Sequence, residues 1–395
     1  MPPASAPARP HAIPRGIWAL GLVSLLMDTS SEAIHSLLPA FLVTVLGASV
    51  VALGLIEGVA EATAAFAKVF SGALSDYLGR RKGLALAGYG LAAITKPMFA
   101  LATSVDWIFA ARVIDRIGKG IRGAPRDALV SEISPLDIRG ACYGLRQALD
   151  TVGAFAGPLL AIALMLWLAG DMRAVFWVAV IPGVLAVLVL AVGVREPENV
   201  SPARAARVAL RWQQIRGLGR PYWSWIVVAT VFTLARFSEA FLVLKAETAG
   251  LALTLLPLVF VVMNITYAAS AYPIGKLSDR VGRRGLLAIG CAVLIAADAV
   301  IALASGPIMV LIGVAIWGLH MGFTQGLFAA LVADHSPPEL RGTAFGIFHL
   351  TSGVALFGAS LLAGVLWQQL GAAATFTAGG VVAALALATL NSVPR

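Results

Sequence analysis

The chain has 395 residues, 59% of them hydrophobic and only 12% charged, with a mean hydropathy of +0.88 and a formal charge of +9. Soluble domains carry about a quarter charged residues, so a soluble globular fold is excluded and an integral membrane protein is indicated. A basic balance on one soluble face would suggest nucleic acid; here Lys and Arg fall in alternate loops between apolar runs, and no nucleic-acid partner is expected.

Residues 1–16, with Pro2, Pro3, Pro7, Pro10 and Pro14, read as a disordered tail, and no cleavage is expected in the apolar run that follows. A bilayer crossing needs roughly 20 mainly apolar residues. Runs of that kind predict an all-α membrane protein of twelve helices. Those of the first half fall at 17–46, 51–75, 83–102, 105–126, 139–167 and 173–194. Those of the second fall at 223–247, 252–275, 285–304, 307–332, 342–368 and 371–391. One set of loops holds Arg80, Arg81, Lys82, Arg139, Arg195, Arg204, Arg283, Arg284 and Arg341, and the alternate set is nearly free of Lys and Arg. By the positive-inside rule both termini and the Arg-rich linker 195–222 are cytoplasmic, in a cell inner membrane. The linker separates an N-terminal half, 17–194, from a C-terminal half, 223–395. Cys142 and Cys291 lie inside apolar runs and read as small buried hydrophobes.

The halves repeat. Gly72-Ala-Leu-Ser-Asp76-Tyr-Leu-Gly79-Arg80-Arg81 returns as Gly275-Lys-Leu-Ser-Asp279-Arg-Val-Gly282-Arg283-Arg284. The string from Ala128 to Gly140, with Glu132 and Arg139, matches Ala330 to Gly342, with Asp334 and Arg341. Ser31-Glu32-Ala33 and Ser238-Glu239-Ala240 align in the first helix of each half. Duplicated six-helix halves with a midplane site between them are a transporter architecture.

With the doubled G-x-L-S-D-x-x-G-R-R loop, the chain resembles a major facilitator superfamily transporter over essentially its whole length. Met27-Asp28 to Glu32, Asp115 to Leu129, and Arg146 to Thr151 are similar to a prokaryotic subgroup whose substrates the resemblance does not supply. It implies the two-halved fold, alternating access and a bilayer environment. It also implies a cytoplasmic latch of Gly72, Asp76, Gly79, Arg80 and Arg81, with Gly275, Asp279 and Arg283 as counterparts. The alternative for the arginines is topology alone. Arg112 sits where members carry a fourth-helix arginine linked to proton coupling, although Asp115-Arg116 departs from that pattern. Gly153-x-x-x-Gly157-Pro158 resembles a fifth-helix signature of exporters, beside the alternative of close helix packing.

Asp28, Glu32 and His35 are spaced to share one face of the first helix. Ionisable groups at membrane depth are costly and face cavities, and burial penalises their charged forms, so they are candidates for proton coupling or cation binding. The alternatives are an ion pair with Arg236, which shares the seventh helix with Glu239, and a metal site, which the shortage of further histidines and thiolates disfavours. Glu61 is placed for cavity work, whereas Glu57 is expected near the external end in solvent. Lys96-Pro97 reads as a kink with a paired lysine, and Asp115 as a neutralising partner for Arg112 or a member, with Asp76, of a cytoplasmic charge network. Arg146 and Asp150, four apart on the fifth helix, can pair. His320 and Gln325 are placed for the substrate path, and Asp298 is an isolated charge. No Walker A string is present, and no enzyme activity, cofactor or metal is expected. The reading is a monomeric secondary transporter moving a small molecule, with protons as the coupling partner, most simply as an exporter. A permease importing a nutrient, organic anion or metal chelate is the alternative within transport, and a transporter-like sensor the alternative outside it.

Overall fold

The computed structural model describes residues 12–78, 81–196, 217–337 and 340–392. The expected tail over 1–11, Gly79, Arg80 and the linker over 197–216 lie outside the described residues, as do the side chains of Gly72, Asp76 and Asp279. Among the described residues the regular structure is helical throughout.

The first half holds α1 (Arg15–His35), α2 (Val50–Leu78), α3 (Arg81–Leu101), α4 (Val105–Ile133), α5 (Arg139–Trp167) and α6 (Met172–Gly193). The second holds α7 in two pieces (Arg220–Ala235 and Ala240–Thr248), then α8 (Leu258–Val281), α9 (Arg283–Leu303), α10 (Pro307–Asp334), α11 (Arg341–Leu370) and α12 (Ala372–Ser392). Arg15 and Gly16 belong to α1 rather than to the expected tail, and Arg220–Tyr222 to α7 rather than to the linker. Eleven described spans are long and apolar enough to cross a membrane. The twelfth, α4, has the length, but charges recur along it from Asp106 to Glu132; Arg112, Asp115, Arg116 and Arg122 are buried among other helices.

Helix starts follow capping chemistry. Asp171 accepts from the backbone N–H groups of Arg173 and Ala174 to open α6, and Ser104 accepts from Trp107 N–H to open α4. The start of α3 is capped from the end of α6: the Glu196 carboxylate accepts from Arg81 N–H at 2.6 Å and Lys82 N–H at 3.1 Å. A negative charge there also complements the helix dipole. Arg81 pairs with Glu132 at 2.8 Å, and Arg283, which opens α9 as Arg81 opens α3, pairs with Asp334. In each half the basic turn is thus tied to the end of the fourth helix of the same half.

Within the first half α1 packs on α5 and α6, α3 on α4 and α6, and α2 on α4. The second half reproduces every one of these contacts with α7 to α12. The halves meet through α2 against α11 and α5 against α8, which the repeat relates to each other. Gly54 of α2 lets the backbones close, since a Cβ there would stand 2.3 Å from Ser360 O of α11.

The apolar core shows where the halves are joined. One continuous cluster takes in the ends of the first-half helices remote from the termini, with Leu38, Phe41, Leu53, Ile108 and Phe176, together with much of the second half. Nearer the termini the cores are separate, around Leu20, Tyr89, Leu129 and Leu190 in one half and Tyr222, Ile226, Val332 and Ile347 in the other. A polar contact crosses there, Lys68 Nζ lying 3.4 Å from His349 Nε2. The molecule is shut on the far face, and its cavity lies between the halves on the side of the termini.

The first helix of each half is broken. In α1 the break follows His35: Pro39 has no N–H to give the His35 carbonyl, and the chain resumes at Leu38–Ala40 with a wide turn over Phe41–Val45. At the break in α7 no proline is present. Arg236 is extended, Ser238 N–H is taken by Ser360 Oγ at 3.1 Å, and Ser238 Oγ accepts from Ala240 N–H at 3.3 Å. Phe237 anchors the break against Phe241, Trp317 and Phe376.

Candidate functional site

A cavity of about 740 Å³ lies between the halves, within the range of small-molecule sites. Asp28, Glu32 and His35 of α1 all line it, as do Glu57 and Glu61 of α2 and Arg112 of α4. The second half contributes Arg236 and Glu239, at the break in α7, and an array of phenylalanines.

The geometry is built around Arg112. Its Nε donates to Glu57 Oε1 at 3.0 Å and its Nη2 to Glu57 Oε2 at 2.6 Å, a two-point charge-assisted pair. Its Nη1 donates to His35 Nε2. With Nε2 accepting, a neutral ring carries its hydrogen on Nδ1, which lies 3.7 Å from Glu32 Oε1. On the other side Ser238 Oγ, in the α7 break, donates to Glu57 Oε2 at 3.4 Å. A polar chain therefore runs from Glu32 through His35, Arg112 and Glu57 to Ser238, and by Ser238 N–H to Ser360 of α11. It joins the lumen to the contact between the halves.

Most of the remaining charges are paired nearby. Arg116 meets Glu61 at 3.2 Å, Arg122 meets Asp28 at 3.7 Å and stacks over Tyr89, and Arg236 meets Glu239 at 3.7 Å. Arg126 and Arg146 converge on Asp150 Oδ1 at 3.5 and 3.4 Å. Lys96, fully buried, donates to Asp115 at 2.8 Å and Ser31 at 3.0 Å. Asp298, as far from the start of α9 at Arg283 as Lys96 is from the start of α3 at Arg81, is equally buried with neither oxygen partnered among the described residues.

Several sequence expectations change. Glu57 is buried against Arg112 instead of solvated near the outside. Arg236 turns to Glu239 on its own helix, and it is Arg122 that reaches Asp28. Asp115 neutralises Lys96 in place of Arg112. Gln325 lines the cavity, whereas His320 is packed among Phe232 and Trp317. No metal-ligating cluster is found among the described residues. A signal for the Glu57 pair does exist in the chain: Glu57 and Arg112 each stand seven residues in from helix starts at Val50 and Val105, at a common depth. Gly153 and Gly157 press α5 onto α1, where a Cβ would come within 2.5 Å of Leu25 O and 2.7 Å of Glu32 Cβ respectively.

Comparison with known proteins agrees with this architecture. The family described as Major Facilitator Superfamily matches residues 20–360 and, in a second match, 240–394. An uncharacterised MFS-type transporter of Methanocaldococcus jannaschii is 31% identical over 93% of this chain and 92% of its own. A probable 4-methylmuconolactone transporter of Cupriavidus pinatubonensis is 27% identical over 85% of this chain and 80% of its own. Among solved structures, the nucleoside transporter NupG superposes with a TM-score of 0.79 over 96% of this chain and all of its own, at 13% identity, a likeness of fold.

Proposed function

This chain belongs to the Major Facilitator Superfamily and is a multi-pass secondary transporter; from that premise we propose that it is a proton-coupled exporter of a small organic compound. In this reading it works by alternating access, as a monomer in the inner membrane with both termini cytoplasmic. The shut far face is then periplasmic, and the cavity is caught on its inward-facing side.

The observation that carries the coupling is the polar chain from Glu32 to Ser238. Glu32 is the lumen-facing end, and a proton arriving there removes the charge that His35 Nδ1–H faces. Because His35 shares Arg112 with Glu57, the change is felt at Ser238, where the broken α7 meets α11. Proton binding and the join between the halves are thereby linked through differential contacts, which is what coupling requires. Glu61, Asp28 and Glu239 hold the neighbouring cations Arg116, Arg122 and Arg236 in register, and Asp150, held by Arg146 on its own helix, steadies α5 against Arg126 of α4. In the same reading Asp76 is the latch carboxylate at the cytoplasmic end of α2, with Asp279 its counterpart. Gly153 and Gly157, at the exporter-like signature, fix the face of α1 that carries Glu32.

Reconstitution into proteoliposomes with an imposed pH gradient tests the reading. Transport of a verified substrate follows the gradient and falls in Asp76→Asn while membrane insertion is unchanged. Indifference to the gradient removes antiport, and wild-type rates in Asp76→Asn remove the latch. The relative named for 4-methylmuconolactone favours one second reading, a permease for an organic compound; the direction of flux in inside-out vesicles separates the two.

A further inference from the structure

The two walls of the cavity differ in kind. Nearly all of its charged residues come from α1, α2, α4 and α5, and the second half adds only Arg236 and Glu239. All of its phenylalanines, Phe232, Phe237, Phe260, Phe328 and Phe348, come from the second half. The repeat shows that this is substitution in place. The register that matches Glu132 to Asp334 sets Arg126 against Phe328, and the register that matches Gly72 to Gly275 sets Glu57 against Phe260. One wall suits an apolar or aromatic body and the other suits charge.

The sign of that charge follows from which groups are spoken for. The cavity is lined by seven Lys or Arg residues and seven Asp or Glu residues, so it is balanced overall. The guanidinium groups of Arg112, Arg116 and Arg122 lie behind their carboxylates, only 4% to 6% exposed. Among the described residues Lys68 has no carboxylate partner and donates to His349 across the seam between the halves; two further groups stand apart. Lys119 is exposed and makes no hydrogen bond or ion pair, and Glu32, 22% exposed, has no Lys or Arg within ion-pair distance. A bound cation alone would leave Lys119 uncompensated, and a bound anion alone would leave Glu32 so. Uncompensated charge becomes costly once alternating access closes the site from water.

We infer that the substrate is a zwitterion on an apolar or aromatic body, its ammonium held by Glu32, its acid group by Lys119 and its body by the phenylalanine wall. The assignment rests on the transport reading for its context, but it concerns binding alone. Both charges of such a ligand are met, and the cavity stays neutral with or without it.

Thermal stabilisation of the purified, detergent-solubilised protein provides the test. The probes are free amino acids and dipeptides with aromatic or branched apolar side chains, each compared with its N-acetyl form and its C-terminal amide. At least one free zwitterion is expected to stabilise the protein, with apparent affinity falling at least about ten-fold when either end is blocked. Glu32→Gln abolishes the preference over the N-acetyl form and Lys119→Met the preference over the amide. The conservative Glu32→Asp and Lys119→Arg restore the respective preferences, which separates recognition from misfolding. Stabilisation by no member of the panel, equal stabilisation by the blocked forms, or discrimination unaltered in Glu32→Gln and Lys119→Met overturns the assignment. No gradient enters the measurement, so its failure leaves proton coupling standing, and loss of gradient dependence in vesicles leaves this assignment standing.

Discussion

The Glu57–Arg112 pair provides a quantitative test of the site. Both side chains are almost fully buried, at 7% and 4% exposure, and two hydrogen bonds join them. Removing one partner strands a buried charge, which costs about 3–5 kcal/mol, whereas replacing both by apolar groups of similar volume is often neutral. An exposed pair would be worth only about 0–1 kcal/mol. Glu57→Leu and Arg112→Met should therefore each destabilise by about 3–5 kcal/mol, less whatever His35 retains for Arg112. The double variant should return to within about 1 kcal/mol of wild type. Reversible unfolding by SDS in mixed micelles gives all the corners of this cycle. Transport is lost in the double variant as well as in the singles, because the chain from Glu32 to Ser238 is cut in each. Additive single effects below about 1 kcal/mol would refute the buried-pair geometry, and wild-type transport in the stable double variant would refute its place in coupling.

Other outcomes follow from single contacts. Gly157→Ala drives a Cβ to 2.7 Å from Glu32 Cβ and 2.8 Å from Thr29 O, and should lower stability by about 1–3 kcal/mol and reduce transport. Gly144→Ala on the same helix meets nothing within 4 Å and should be neutral or stabilising by up to about 1 kcal/mol; equal effects of the two in the unfolding assay would contradict the α1–α5 packing. Lys96→Met strands Asp115 and should cost about 3–5 kcal/mol, whereas Asp298→Ala removes an unpartnered carboxyl and should leave unfolding unchanged or raise stability. The reverse order of those two would show that Asp298 has a partner. Glu196→Ala removes the carboxylate cap of α3 and should cost about 1 kcal/mol, seen as faster amide exchange at Arg81 and Lys82; unchanged exchange there would dismiss the cap.

The fold was legible because its signals are one-dimensional. Apolar runs of bilayer length, alternating loop charge and the duplicated loop from Gly72 and Gly275 need no knowledge of which helix touches which. Asp28, Glu32 and His35 were legible as cavity residues for the same reason, since their spacing alone puts them on one face. Their partners were not. Arg236 is closer to Glu32 by repeat logic than Arg122 is to Asp28, but only the packing of α4 beside α1 decides that Arg122 arrives. Glu57 reads as solvated from its place near the start of α2, because that place alone does not reveal the closed far face that covers it. The break in α1 carries a mark in Pro39, but that in α7 carries none, because Ser360 and the ring of aromatic side chains hold it from outside its own helix.

Accumulation of a panel-verified substrate in inside-out membrane vesicles, acidified within, tests the central claim most directly. An exporter exchanging protons for substrate should concentrate it in the wild-type vesicles, lose that accumulation when a protonophore collapses the gradient, and show none with Glu32→Gln. Equal accumulation with and without the gradient, or in Glu32→Gln, would contradict proton coupling through Glu32.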